Sequence, residues 1–255
     1  MFMSEQSIKE MKGTLVIIPT YNERGNIQRL IPEILNLDER INILVVDDGS
    51  PDDTAGAVSE LMDSFPGRVL LSRRPGKMGL GSAYVHGFLR GLGEGYGFII
   101  QMDADWSHHP RYLPEMMRLV GSADFVIGSR YVPGGGTLNW GFGRRLLSKF
   151  GSFYARAVLG VKITDFTGGF NGWSAEVLRK MDVRSLRSTG YSFQIELKYR
   201  AHRLGFRRQE FPIVFEDRRF GKSKMSVAIA LEAFWRVWDL KLKLKRDRGR
   251  PASDY

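Results

Sequence analysis

Short apolar runs alternate along the chain with stretches whose apolar residues recur every three or four positions. Thr14 to Pro19, Ile41 to Asp47, Gly97 to Met102 and Asp124 to Gly128 read as buried parallel strands, most of them followed by a polar, turn-rich stretch. Helices are predicted between and after them, over Gly25 to Asn36, Thr54 to Ser64, Leu80 to Gly93 and Arg111 to Val120. Such alternation implies a doubly wound α/β domain whose ligands gather at the carboxyl ends of the strands. Farther on, Gly134 to Gly136 predict a flexible loop, Arg144 to Leu159 a helix, and Gly168-Gly169 a turn. A strand over Asn171 to Ser174, helices over Ala175 to Met181 and Ser192 to Leu204, and a strand over Gln209 to Phe215 complete the pattern.

Three strand ends carry unusual polar clusters: Pro19-Thr20-Tyr21-Asn22-Glu23, Asp47-Asp48-Gly49-Ser50 and Asp103-Ala104-Asp105. All three are expected to open into one crevice. With 255 residues, 43% of them hydrophobic and 26% charged, the chain suits one folded α/β domain. The absence of cysteine excludes disulfides and thiolate metal sites, so a metal would rest on carboxylates, histidine, backbone or substrate. Net charge of +10 predicts an anionic partner: nucleic acid, anionic lipid or a phosphorylated metabolite. Met1 to Gly13 lacks the layout of a secretory signal, and no run approaches the roughly 18 apolar residues of a membrane span. A cytoplasmic location is the expectation.

Asp103 and Asp105 can aim two carboxylates at one point, which suits Mg2+ or Mn2+ with substrate phosphates completing the shell. An isolated Asp-x-Asp is more often a simple turn; the second acidic cluster shifts that balance. Asp48 suits a ribose or base, whereas Asp47 suits a structural role such as capping a helix from near Pro51. In the first cluster Pro19 fixes the chain, Tyr21 offers an aromatic face and Glu23 offers acceptors, while Thr20 or Asn22 could equally cap a helix. Arg130, just after a strand, suits phosphate. Arg144 and Ser148 share a helical face, beside the solvated cations Arg145 and Lys149. Arg218 and Lys224 lie in a basic, glycine-containing loop that could neutralise a departing diphosphate or be a solvated turn.

Pro-Thr-Tyr-Asn-Glu at 19 to 23, Val-Val-Asp-Asp-Gly-Ser at 45 to 50, Asp-Ala-Asp-x-Ser-His-His-Pro at 103 to 110, Ile-Gly-Ser-Arg-Tyr at 127 to 131 and Phe-Gly-Lys-Ser-Lys at 220 to 224 together resemble the dolichol-phosphate (polyprenol-phosphate) mannosyltransferases. These belong to family 2 of the inverting glycosyltransferases, with an A-type nucleotide-sugar fold: a single Rossmann-like domain around a mostly parallel sheet. The resemblance implies that Pro19, Tyr21, Glu23, Val46 and Asp48 hold the nucleoside, and that Asp103, Ala104 and Asp105 bracket metal and diphosphate. Ser107 stands where some relatives carry a glutamine as a further metal ligand. It further implies an acceptor-phosphate set of Arg130, Arg144 and Ser148, a donor-side clamp of Arg218 and Lys224, and catalytic roles for Asp105, Arg130, Arg218 and Lys224. The stretches Asp165 to Phe170 and Gly190 to Glu196 also match the family pattern.

The implied reaction moves mannose from GDP-mannose to a polyprenyl phosphate at the cytoplasmic face of a membrane. Residues 1 to 224 form the expected catalytic domain, and 225 to 255 an amphipathic helix with a basic tail. In that segment Val227, Leu231, Phe234, Trp235, Trp238 and Leu242 recur at three- and four-residue steps before a run of lysines and arginines. The stripe fits either an anionic leaflet or a helix packed on the domain, and a separate membrane-protein partner is another route to the lipid. A UDP-sugar donor is the rival within the enzyme class. A nucleic-acid-binding module is the rival outside it, but the aromatic and zinc signatures of such modules are missing.

Overall fold

The computed structural model describes residues 12–186, 188, 190–217 and 234–242. Strands β1 (Lys12–Thr20), β2 (Ile41–Asp47), β3 (Val69–Arg73), β4 (Tyr96–Gln101), β5 (Phe125–Ser129), β7 (Asn171–Ser174) and β8 (Arg208–Pro212) form one sheet in the order β3-β2-β1-β4-β7-β5-β8. All neighbouring pairs are parallel except the two made by β7, which runs antiparallel between β4 and β5. Two further strands, β6 (Gly136–Leu138) and β9 (Val214–Glu216), pair separately.

Helices α1 (Arg24–Leu35), α2 (Thr54–Ser64), α3 (Leu80–Gly93), α4 (Leu113–Leu119), α5 (Phe142–Leu159), α6 (Ala175–Met181) and α7 (Gly190–Arg203) accompany these strands. Alternate residues of the central strands enter two separate apolar cores, the pattern of a sheet buried on both faces: Leu15 and Ile17 join one, Val16 and Ile18 the other. Two glycines bring α3 close to the sheet. A Cβ at Gly87 would lie 2.7 Å from Ile17 Cγ2, and one at Gly91 2.7 Å from Ile99 Cδ1. Close docking of α3 sets where its amino end meets the strand termini.

Several sequence expectations change in detail. Gln209 to Phe215 is two strands, interrupted at Ile213 and divided between the two sheets. Part of the expected glycine loop, Gly136 onward, pairs as β6. In the C-terminal segment residues 234–242 are helical, and Val237 and Leu240, which are not part of the expected stripe, enter the core. Phe234, Trp235, Trp238 and Leu242, which are part of it, stay exposed. The expected domain boundary at 224 lies outside the described residues.

Candidate active site

The β1 and β2 ends are locked together by Asp47. Its carboxylate accepts from Thr20 Oγ1 at 2.9 Å and from the Ser50 amide at 3.0 Å, closing a turn rather than capping α2, which starts later at Thr54. Asp48 beside it faces the cleft, its carboxylate fixed by Arg74 Nε at 2.6 Å and the Met78 amide at 3.3 Å. Tyr21 is partly exposed, with Lys77 Nζ 4.4 Å from its ring centroid. Glu23 sits at the N-cap position of α1, where its backbone carbonyl accepts from Asn26 and Ile27 and its side chain from Asn26 Nδ2 at 2.7 Å. Thr20 and Asn22 therefore do not cap that helix.

Past β4, the Asp103 carboxylate accepts from the buried Tyr84 hydroxyl at 3.2 Å. Burial and then the Asp103 charge push the Tyr84 phenol well above its ordinary range, so it stays a neutral donor. The Asp103 amide donates to His108 Nδ1 at 3.1 Å, and Asp105 accepts from the Ser107 amide at 3.1 Å. This tight loop, with Trp106 at φ 65°, holds Asp105, Ser107 and His108 nearly buried. His108 stacks on Phe170 at 5.1 Å, and burial holds its imidazole below the usual range, hence neutral near pH 7.

Past β5, Arg130 is almost wholly buried. Its Nε and Nη2 each donate to Asp165 at 2.7 Å, and Nη2 also reaches Thr167 Oγ1 at 2.8 Å. Burial alone would raise the Asp165 carboxyl, but the Arg130 charge and hydrogen bonds, with Lys198, hold it down at about 2. Lys198 is fully buried and donates to the carbonyls of Asp165 and Gly168, both at 2.8 Å, so α7 pins the loop that fixes Arg130. Burial lowers the Lys198 ammonium to about 8. Arg144 donates to Asp217 at 2.6 Å and covers the Trp140 ring at 4.2 Å. Ser148 accepts from the Tyr131 hydroxyl at 2.7 Å and lies 3.5 Å from Thr167 Oγ1.

These groups share one cleft of about 380 Å³, whose wall includes Pro19, Tyr21, Asp48, Asp103, Arg130 and Arg144. The three acidic or aromatic strand ends thus do meet the arginines. Ala104, Asp105, Ser107, Ser148 and Glu23 belong to the same loops and helices without forming the wall. The Val46 side chain is wholly buried in the core and is not among the residues that line the cleft. Arg218 and Lys224 lie outside the described residues. Gly79 and Leu80 also line the cleft, as do Thr167, Gly169 and Gln194. The last three lie in the two stretches that matched the family pattern without a role. Glu196 of the same stretch instead pairs with Arg200 at 2.6 Å.

A cleft at the carboxyl edge of a mostly parallel sheet, rimmed by strand-end aspartates and arginines, defines the A-type architecture of nucleotide-sugar glycosyltransferases. The chain belongs to glycosyl transferase family 2, whose model matches residues 15–182. It is 45% identical over 246 residues to polyprenol monophosphomannose synthase of Mycolicibacterium smegmatis, covering 95% of this chain and 93% of that one. To undecaprenyl-phosphate mannosyltransferase of Micrococcus luteus it is 42% identical over 238 residues, covering 92% and 98%. The fold also matches mannosyltransferase PcManGT from Pyrobaculum calidifontis, solved in complex with GDP-Man and Mn2+. That match has a TM-score of 0.59 at 16% identity and covers 95% of this chain and 66% of that one.

Proposed function

We propose that this enzyme transfers mannose from GDP-mannose to the phosphate of a polyprenyl phosphate, with inversion at the sugar carbon. The observation that carries this reading is the single cleft in which Asp48 and Asp103 face Arg130 and Arg144. Two relatives at 42–45% identity, both named for mannose transfer to a lipid phosphate or its product, support it.

The acceptor needs no general base. A phosphate monoester has its second pKa near about 6, so it is largely dianionic at pH 7 and already nucleophilic. An oxygen of that phosphate bonds the sugar carbon as the bond to the donor diphosphate breaks, and the electron pair leaves with GDP. The protein's task is to hold two anions in line and screen their repulsion. Arg130, Arg144 and Ser148 are assigned to the acceptor phosphate; Pro19, Tyr21, Glu23 and Asp48 to the nucleoside. Arg218 and Lys224 are assigned to the departing diphosphate on the strength of their motif.

A divalent cation fits the 103–107 loop by donor chemistry. Asp103, Asp105 and Ser107 offer only hard oxygen ligands, and the buried Ser107 Oγ has no hydrogen-bond partner in the loop. Among the described residues no three histidine, cysteine, aspartate or glutamate side chains cluster as a metal site, so substrate oxygens would complete the shell. Mg2+ or Mn2+ bound there would neutralise charge on the diphosphate as it leaves.

Membrane contact is supported by an apolar shelf. Phe142, Leu146, Phe150 and Phe153 project from one face of α5, all more than half exposed, and Trp235 of the 234–242 helix is 72% exposed. Tyr154 stacks on Phe234 at 4.4 Å, joining the two helices. No described helix is long and apolar enough to cross a membrane. The shelf and the basic tail suit peripheral attachment at the cytoplasmic face, directly or beside a membrane-protein partner.

The test supplies purified protein with radiolabelled GDP-mannose or UDP-glucose, polyprenyl phosphate, and Mg2+, Mn2+ or chelator. Labelled lipid is expected from GDP-mannose with a metal present, and Asp105→Ala should abolish it; product from UDP-glucose alone would overturn the mannose assignment. Phe150→Ser combined with Trp235→Ser should weaken flotation with anionic vesicles, whereas unchanged flotation would defeat the proposed shelf contact.

A further inference from the structure

The amide of Gln194 is oriented by a chain of hydrogen bonds with only one consistent direction. It begins at Trp173, whose indole nitrogen can only donate and does so to Gln101 Oε1 at 2.9 Å. Asn171 Nδ2 then donates to that same oxygen at 3.3 Å and to the Gly168 carbonyl at 3.2 Å, so this end of Asn171 must be its amino group. The same Nδ2 lies 3.1 Å from Gln194, which must present Oε1 to it. The Gln194 amino group therefore points away from this network. It is 97% buried, counting from a residue exposure of 3%, has no partner among the described residues, and belongs to a side chain on the cleft wall.

His108 faces the same spot. Its Nδ1 accepts from the Asp103 amide, which leaves Nε2 as the donating nitrogen. A Cβ on Gly169 would lie 3.6 Å from His108 Cε1 and 3.7 Å from Gln194 Nε2, so the missing side chain of Gly169 leaves room between them. The same cleft is lined by Asp103, whose loop is assigned to the diphosphate, and by Arg130, assigned to the acceptor phosphate.

We propose that Gln194, with His108 beside it, donates hydrogen bonds to hydroxyls of the hexose being transferred, and that Gln194 thereby sets which sugar is accepted. The inference rests on the glycosyl-transfer reading. In a cleft that receives two anions a cation would draw phosphate into the sugar position, whereas neutral amide donors recognise hydroxyls without doing so. Their directionality also gives discrimination: a site built to bond a hydroxyl rejects an analogue that lacks or misplaces it.

Calorimetry with Mg2+ present, on the full chain, would compare the affinity for GDP with that for GDP-mannose in wild type, Gln194→Met and Gln194→Glu. Both variants remove the donor, and Gln194→Glu keeps an acceptor for Asn171, which guards against misfolding of the first. We expect GDP affinity to change less than about threefold in Gln194→Met while the gain from adding mannose falls about tenfold. An unchanged gain in a folded variant overturns the proposal. If wild type binds UDP-glucose and not GDP-mannose, only the mannose reading fails, and the same ratio taken with UDP and UDP-glucose decides the role of Gln194. Wild type that binds neither sugar nucleotide overturns both.

Discussion

Replacing Asp165 with asparagine isolates the buried ion pair that fixes Arg130 at the cleft. The substitution keeps the side-chain shape but removes the charge that faces Arg130, which is itself 6% exposed. Stranding one member of a buried ion pair typically costs about 3 to 5 kcal/mol. A second route gives a lower bound: moving the Asp165 carboxyl from 3.8 to about 2 corresponds to about 2 kcal/mol of preference for the charged form. The larger figure applies to the mutant, because deletion also leaves the guanidinium unpaired. Urea denaturation at pH 7 should show a loss of at least about 2 kcal/mol, and mannose transfer should fall with it. Because the folded carboxyl is lowered, its contribution is complete above about pH 4 and fades as pH falls toward 2. The wild-type advantage over Asp165→Asn should shrink across that window. A loss below about 1 kcal/mol, independent of pH, would refute the reasoning.

Lys198 offers the opposite signature. Its folded ammonium titrates at about 8 against 10.5 in the open chain, so the unfolded state holds the extra proton between those values and stability gains from this group as pH rises through them. Lys198→Met should flatten that rise in denaturation curves taken from pH 7.5 to 10.5. Tyr131→Phe removes the hydroxyl that donates to Ser148; losing about 1 kcal/mol should raise the acceptor KM about fivefold in initial-rate assays, with donor KM little changed. Gly172→Ala drives a methyl against Phe98 and Met116 in the core and should lower urea stability by about 1 to 3 kcal/mol.

The periodic parts of the chain were legible. The expected bounds of β2, α2, α3, β7 and α6 coincide with the observed ones, because turn residues and periodicity agree there. β3 was not anticipated: Val69 to Arg73 is short, and only Val69 of it is fully buried, so its apolar signal is weak. The convergence of Asp48 and Asp103 was legible from strand ends, and that of Arg130 and Arg144 with them from motif resemblance. Its supports were not. Arg74 and Asp48, or Arg130 and Asp165, are joined only by folding, and nothing in local sequence announces that Lys198 lies buried under a loop 30 residues away. Val46 shows the converse limit, since motif resemblance does not announce that its side chain faces the core.

The reversed strand β7 also acts as a spacer. Adjacent strands stand about 4.8 Å apart, so inserting one between β4 and β5 separates their ends by about 10 Å. The Asp103 loop follows one of those ends and Arg130 the other. With the two phosphates assigned as proposed above, a spacing of about 10 Å would leave room for a single sugar residue between them. A sheet lacking the insertion would bring like charges nearly together, so a topological choice made far from any side chain fixes the scale of what can be handed across.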